Sequence, residues 1–178
     1  MSSTVVLYKS KYGASKQYAE WIAEDLGCKS LNIDEINFED IWAYKTIVLG
    51  GGLYANNIAG ANFLLKHIDE LEDKNIVFYT VGITPIDCRE YYDKTVLEKT
   101  FPESLRTKYK VFNFLGKMLD EELTFPHKMA LKALKKIMQK KDTPTEMEKM
   151  LIELCDYNKN EISRAQINEL VEYVKENF

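Results

Sequence analysis

The segment Thr4–Leu26, TVVLYKSKYGASKQYAEWIAEDL, constrains this chain most. A strand-length apolar run, Thr4–Tyr8, enters the turn Ser10-Lys11-Tyr12-Gly13-Ala14-Ser15, and Ala19, Ile22, Ala23 and Leu26 then follow at helical spacing. A strand that turns straight into a helix leaves the first helical N–H groups unpaired and aims them, with the positive end of the helix dipole, at one spot. Gly13 permits close backbone approach and the two serine hydroxyls can donate, so the turn predicts a phosphate cradle. The alternative is an ordinary tight strand-to-helix turn without a ligand.

Further apolar runs of strand length lie at Thr46–Leu49, Ile76–Val81 and Lys110–Leu115, with a weaker one at Lys29–Ile33. Helical patterns separate them: Phe63, Leu64, Ile68 and Leu71 in one, and a weaker one around Tyr91–Phe101. Alternating strands and helices predict an α/β fold with a doubly wound, five-stranded parallel sheet. The near-continuous apolar character of Thr46–Leu49 and Ile76–Tyr79 fits strands covered on both faces. Ser163-Arg164-Ala165-Gln166 reads as a capping box, opening a last helix that carries Ile167, Leu170, Val171, Val174 and Phe178.

Several function classes are disfavoured. G-x-G-x-x-G and G-x-x-x-x-G-K-[ST] are both absent, which removes the main support for dinucleotide and triphosphate sites. No carboxylate pair follows the first strand, where Tyr8-Lys9-Ser10 stands, and this argues against a response-regulator receiver. A net charge of −4 with no basic recognition helix predicts no nucleic-acid partner. Cys28, Cys88 and Cys155 are odd in number and widely spaced, and His67 and His127 lack partners at metal-ligand spacing, so redox chemistry would need an organic cofactor. The 178 residues, 46% hydrophobic, are read as a single domain over residues 1–178. No run approaches the roughly 18 apolar residues of a membrane span, which makes the cytoplasm the default location.

In a doubly wound sheet, ligands bind beyond the carboxyl ends of the strands at the switch point, so the loops after strands one, three and four should converge. The second of these loops, Gly50–Ile58, offers Gly50, Gly51 and Gly52 for backbone approach, Leu53, Tyr54 as a flat aromatic face, then Ala55 and Asn56. The third supplies Val81, Gly82, Ile83 and Thr84, whose backbone could meet the polar edge of a ring. The alternative is that the glycines only shape strand ends while Tyr54 packs on a neighbouring helix.

Taken together, Ser10…Gly13…Ser15, Gly51–Asn56 and Val81-Gly82-Ile83-Thr84 resemble the three FMN-binding loops of the flavodoxin superfamily. Phe114-Leu115-Gly116-Lys117, the Phe125-Pro126-His127-Lys128-Met129 helix entry and the Asp142-Thr143 exit are similar to the menaquinone-dependent protoporphyrinogen dehydrogenase type. The resemblance implies a flavodoxin-like fold binding FMN noncovalently, with Ser10–Ser15 at the phosphate, Gly51–Asn56 beside the ring and Val81–Thr84 at its edge. It implies an oxidoreductase acting with a quinone or tetrapyrrole, and it names no catalytic residue. Tyr12 departs from the family pattern, which has a small hydroxyl there, leaving the phosphate to backbone groups and Lys11.

Between the fifth strand and the last helix the chain spends 45 residues, Gly116–Asn160, predicting a helical insertion. Ala130, Leu131, Leu134, Ile137 and Met138 share one helical face, while Lys128–Lys141 holds six lysines and no acid. Residues Thr107–Lys141 balance at +6 and the remainder at −10. A basic amphipathic helix on an acidic body predicts peripheral contact with anionic lipid or with an acidic partner, and the resemblance implies that such contact would be at the inner membrane face, near the quinone. The alternative is a helix that packs by the flavin loops and leaves its lysines in water. A small FMN electron carrier docking on redox partner proteins through Asp34, Glu35, Glu39, Asp40, Glu70, Glu72 and Asp73 is the competing function. A flavodoxin-like fold without flavin, serving as an interaction module, is the third.

Overall fold

In a computed structural model, which describes residues 3–178, five parallel strands form the centre of the molecule. They are β1 (Thr4–Lys9), β2 (Lys29–Asn32), β3 (Thr46–Tyr54), β5 (Asn75–Gly82) and β6 (Lys110–Leu115), in the order β2-β1-β3-β5-β6. A short antiparallel strand, β4 (Asn57–Ile58), pairs with the end of β3. The helices are α1 (Ala14–Leu26), α2 (Asn62–Leu65), α3 (Leu97–Thr100), α4 (Phe125–Gln139), α5 (Glu146–Leu154) and α6 (Asn168–Asn177). The first two residues of the domain expected over 1–178 lie outside the described range.

Alternation along each strand divides the core. Val6, Val48, Val77 and Tyr79 face α1 and α6, packing on Tyr18, Ile22, Leu170 and Val174. Val5, Leu7, Ile47, Leu49 and Phe78 face the other way, onto Leu64, Leu71, Tyr91, Tyr92 and Phe101. Strands buried on both faces therefore read as continuous apolar runs, as parallel sheets require. In register, Lys9 lies beside Gly51 and Gly51 beside Thr80, so β1, β3 and β5 deliver their following loops to one edge.

The second loop differs from its sequence reading. Instead of leaving the sheet after Leu49, β3 keeps its ladder with β5 through Gly52 and then turns back at Ala55 and Asn56. Both turn residues have positive φ, 48° and 65°, the twist a tight hairpin needs. Two of the glycines serve packing rather than a ligand. A Cβ on Gly50 would stand 1.8 Å from the Tyr79 ring, and one on Gly51 would stand 2.0 Å from the Ala59 carbonyl oxygen.

Two helical patterns are broken up. Phe63–Leu71 divides into α2 and a 3₁₀ turn at Ile68–Leu71, and Tyr91–Phe101 begins as a π-helical stretch, Tyr91–Val96, before α3. The capping box does not form. Ser163 precedes a 3₁₀ turn, Arg164–Ile167, without a side-chain cap bond. Gln166 instead reaches the sheet: its Oε1 accepts from the Leu115 N–H at 2.6 Å and its Nε2 donates to the Glu161 carbonyl at 2.8 Å. An N–H of the edge strand β6 outcompeted the local cap.

Between β6 and α6 the chain leaves the sheet through β7 (Lys117–Met118) and returns through β8 (Lys159–Asn160), an antiparallel pair that closes the neck of the excursion holding α4 and α5.

Candidate functional site

The turn Ser10–Ser15, the candidate phosphate loop, is built from a few local bonds. Gly13 has φ 87°, a conformation that only glycine adopts without strain, with nothing within 4 Å of where a Cβ would stand. Its N–H donates to the Ser10 Oγ at 3.1 Å, which fixes that side chain and leaves the Ser10 hydroxyl hydrogen to donate elsewhere. The first intrahelical bond of α1 runs from Gln17 N–H to the Gly13 carbonyl, 3.0 Å, so the preceding N–H groups have no helical partner. No acidic residue sits in that first turn. An anion is favoured there by both the free donors and the dipole.

Beside this loop opens a cavity of about 350 Å³, a size within the range of small-ligand sites, roughly 300–1,000 Å³. Of the sequence-predicted residues, Ser10, Lys11, Tyr12, Ala14 and Ser15 line it, as do Gly52, Leu53, Tyr54 and Ala55, and Val81, Gly82 and Ile83. The other four stand outside its lining. Gly13 shapes the turn behind it and Gly51 packs on Ala59. Asn56 holds the hairpin turn, its Oδ1 accepting from the Tyr91 hydroxyl at 3.0 Å. Thr84 is buried, with its carbonyl accepting from the Tyr92 hydroxyl at 2.8 Å.

The excursion supplies the rest of the wall: Gly116, Lys117, Met118, Leu119, Glu122, Leu123, His127, Ala130 and Leu131. These residues were missed because no local motif ties a helix over a hundred positions away to the phosphate loop. Besides the apolar helical face read as packing by the flavin loops, the sequence signal was Tyr12 itself, a bulky ring where the family pattern has a small hydroxyl. Its oxygen lies 2.5 Å from Nδ1 of His127, and the Lys11 Nζ lies 3.2 Å from Nε2 of the same ring. Since an ammonium can only donate, Nε2 accepts and the ring proton sits on Nδ1, which donates to the Tyr12 oxygen. Lys11 is thus engaged by His127.

Burial shifts two tyrosines at or behind the site. Burial, and secondarily the nearby Tyr12, raises the Tyr54 phenol above its ordinary value. Tyr79, beneath the sheet, is raised far above its own by complete burial, with Tyr8 adding to the shift. Its hydroxyl donates to the Ser15 carbonyl at 3.0 Å, anchoring the first turn of α1 to β5. Glu122 pairs with Lys117 at 2.6 Å, so the carboxylate does not face an anionic ligand alone.

The lining fits FMN. One end offers hydroxyls, free N–H groups and no acid. The other offers apolar side chains and glycine backbone at Gly52, Gly82 and Gly116, where added Cβ atoms would meet neighbours at 3.0, 3.0 and 2.8 Å. Ser10, Ser15 and the first turn of α1 would hold the phosphate, and Tyr54, Leu53 and Ile83 would flank the ring. Bound there, FMN would supply one- and two-electron chemistry.

Comparison with solved structures finds similar folds at low identity. A WrbA-like flavodoxin from Agrobacterium tumefaciens is 21% identical over 64% of this chain and 83% of that one, TM-score 0.41. An archaeal flavodoxin is 14% identical over 86% and 96%, TM-score 0.42. Rubredoxin oxygen:oxidoreductase from Desulfovibrio gigas is 12% identical over 94% of this chain, TM-score 0.38, and this chain spans only 36% of that protein. No curated protein sequence gives a significant match. The family model for the flavodoxin domain matches residues 5–146, and the chain therefore belongs to the flavodoxin domain family, whose cofactor is FMN.

Proposed function

We propose that this protein is an FMN-dependent oxidoreductase whose second substrate is a flat, largely apolar ring compound, a quinone or a tetrapyrrole. The observation that carries this reading is the apolar wall that Met118, Leu119, Leu123 and Leu131 add above the cavity. A carrier that only hands electrons to another protein needs its flavin edge exposed, whereas a wall of this kind excludes water and favours an apolar ring. In this reading Ser10–Ser15 orients the cofactor through its phosphate, the glycine backbones admit the ring closely, and Tyr54 stacks beside it.

Support for the carrier reading is thinner. Its acidic residues are largely engaged locally: Asp34 pairs with Lys9, Asp40 bonds the Asn37 N–H at 2.8 Å, Glu70 meets His67 at 2.8 Å and Asp73 lies near Lys45. Family membership nonetheless makes electron transfer to a redox partner the general expectation.

The reading extends to a lipid surface as the source of substrate. Phe125 is 74% exposed and Ile137 63%, with Met129 and Leu134 also exposed, beside the exposed Lys132 and Lys136. No helix among the described residues is long and apolar enough to cross a membrane, so contact would be peripheral.

The first test is the visible spectrum of the purified protein and the identity of the released cofactor. The second mixes the anaerobically reduced protein with a quinone, and the oxidised protein with a porphyrinogen. Turnover of either supports the proposal. Inertness to both, with rapid oxidation by a protein acceptor, supports the carrier. Sedimentation with vesicles that contain anionic lipid, and not with neutral ones, would support the lipid contact.

A further inference from the structure

The α4–α5 pair is loosely joined to the sheet. Met138 is the buried residue of α4; α5 has none and reaches the core through the partly buried Met147. The ion pairs Lys135–Asp156, Lys141–Glu148 and Lys149–Glu146 all stay within the excursion. The neck is closed by two residue pairs, Lys117 with Asn160 and Met118 with Lys159. Among the described residues, the side-chain hydrogen bonds that tie α4 to the body run through His127, reinforced at the helix cap by Thr124, whose N–H donates to the Tyr12 oxygen at 3.5 Å.

The position of His127 follows from the helix start. Thr124 is extended, with φ −65° and ψ 151°, and Pro126 occupies a first-turn position where its missing N–H is no loss. This sets His127 in the first turn, over the cavity and edge-on to Tyr12, ring centroids 5.6 Å apart. The Tyr54 ring also neighbours it, centroids 6.0 Å apart. The histidine therefore meets the phosphate loop through Tyr12 and Lys11 and approaches the second loop through Tyr54.

We propose that His127 is a positioning residue of the cofactor site: by holding Tyr12 and Lys11 it fastens α4 as a roof over the cavity, slowing FMN release and controlling entry of a second ring. This rests on the FMN site assigned above. A cavity of about 350 Å³ lies at the small end of ligand sites, so with the roof fastened it holds one ligand, and a second ring must enter when α4 lifts. A bonded group shared between the roof and the phosphate loop makes the two openings one event.

The test uses the full chain and compares wild type with His127→Ala, Tyr12→Phe and His127→Asn. The rate of FMN release is read by recovery of flavin fluorescence on dilution, and amide hydrogen exchange of residues 125–139 is read in the FMN-free protein. His127→Ala and Tyr12→Phe should each release FMN about tenfold faster, the effect of one lost hydrogen bond, and should raise exchange across α4 while leaving β1, β3 and β5 protected. His127→Asn, which keeps a donor near the Nδ1 position, should return both readings toward wild type. Combining Tyr12→Phe with His127→Ala should speed release by less than the product of the two single effects, because the Tyr12–His127 bond is lost in both while the Thr124 and Lys11 bonds are lost in one each. Unchanged release in His127→Ala overturns the proposal. So does faster release with unchanged α4 exchange, which would make His127 a direct ligand of FMN rather than a fastening of the roof. A wild type that quenches no flavin fluorescence removes the FMN site itself, and this is seen before any variant is compared.

Discussion

The Tyr79 hydroxyl donates to the Ser15 carbonyl at 3.0 Å, and the same ring fills the space above Gly50 that a Cβ would enter. One fully buried side chain thereby couples the middle of β5, the glycine run of β3 and the first turn of the phosphate-loop helix.

Removing that hydroxyl should cost about 0.5–1.5 kcal/mol, the net worth of one hydrogen bond, because the Ser15 carbonyl stays within the α1 ladder. Tyr79→Phe is expected to lower the urea midpoint accordingly. It should also flatten the alkaline limb of stability. Burial raises the Tyr79 pKa in the native state, so above pH 10 the unfolded chain loses its proton first and binds fewer protons than the native one. Stability then falls as pH rises from about 10 toward the native pKa, and removing the phenol removes that part of the slope. Urea titrations at pH 8 and above pH 10 check both statements.

Two glycine substitutions should fail for different reasons. Gly50→Ala drives a methyl into the Tyr79 ring and should cost at least about 3 kcal/mol, the upper range for overpacking. Gly13→Ala meets no neighbour and should cost about 1–2 kcal/mol, the strain of positive φ. A smaller residue at position 79 should rescue the first and leave the second untouched, as measured by denaturant unfolding.

Gln166 and Ser163 exchange the importance that the capping motif would assign them. Gln166→Leu leaves the Leu115 N–H without its acceptor and should destabilise by about 1–3 kcal/mol. Ser163→Ala should change stability by less than about 0.5 kcal/mol, since its side chain makes no cap bond. Thermal melts of the two variants decide between this network and a capping box.

Charge at the phosphate loop should govern flavin retention. Ser15→Asp places a carboxylate at the free N–H groups of α1 and should abolish retention of FMN through gel filtration. Riboflavin, which lacks the phosphate, should lose much less affinity than FMN in the same variant. Equal losses for the two flavins would mean that the phosphate lies elsewhere.

Much of the scaffold was legible because it depends on short-range pattern. Val5, Val6 and Leu7 alternate between two buried faces, and the apolar spacing of Ala19, Ile22 and Ala23 marks the stripe of α1. The five strand runs and the phosphate-loop turn follow from such local signals. Less legible were Phe63–Leu71 and Tyr91–Phe101, where helical spacing is present but the chain breaks into 3₁₀ and π turns while Leu64, Leu71, Tyr91 and Tyr92 pack on one face of the sheet. The glycines at 50 and 51 looked like ligand contacts, yet the atoms they make room for are Tyr79 and Ala59, decided by strand register.

By itself the sequence determined the alternation of strand and helix, the edge at which the loops gather and the glycine turn before α1, because each is set by periodicity or by a single backbone conformation. Only the tertiary structure decided that Tyr12 meets His127 across 115 positions and that Gln166 closes β6. Those contacts depend on where a helix lands once the core has packed, and no local preference of either partner specifies the other.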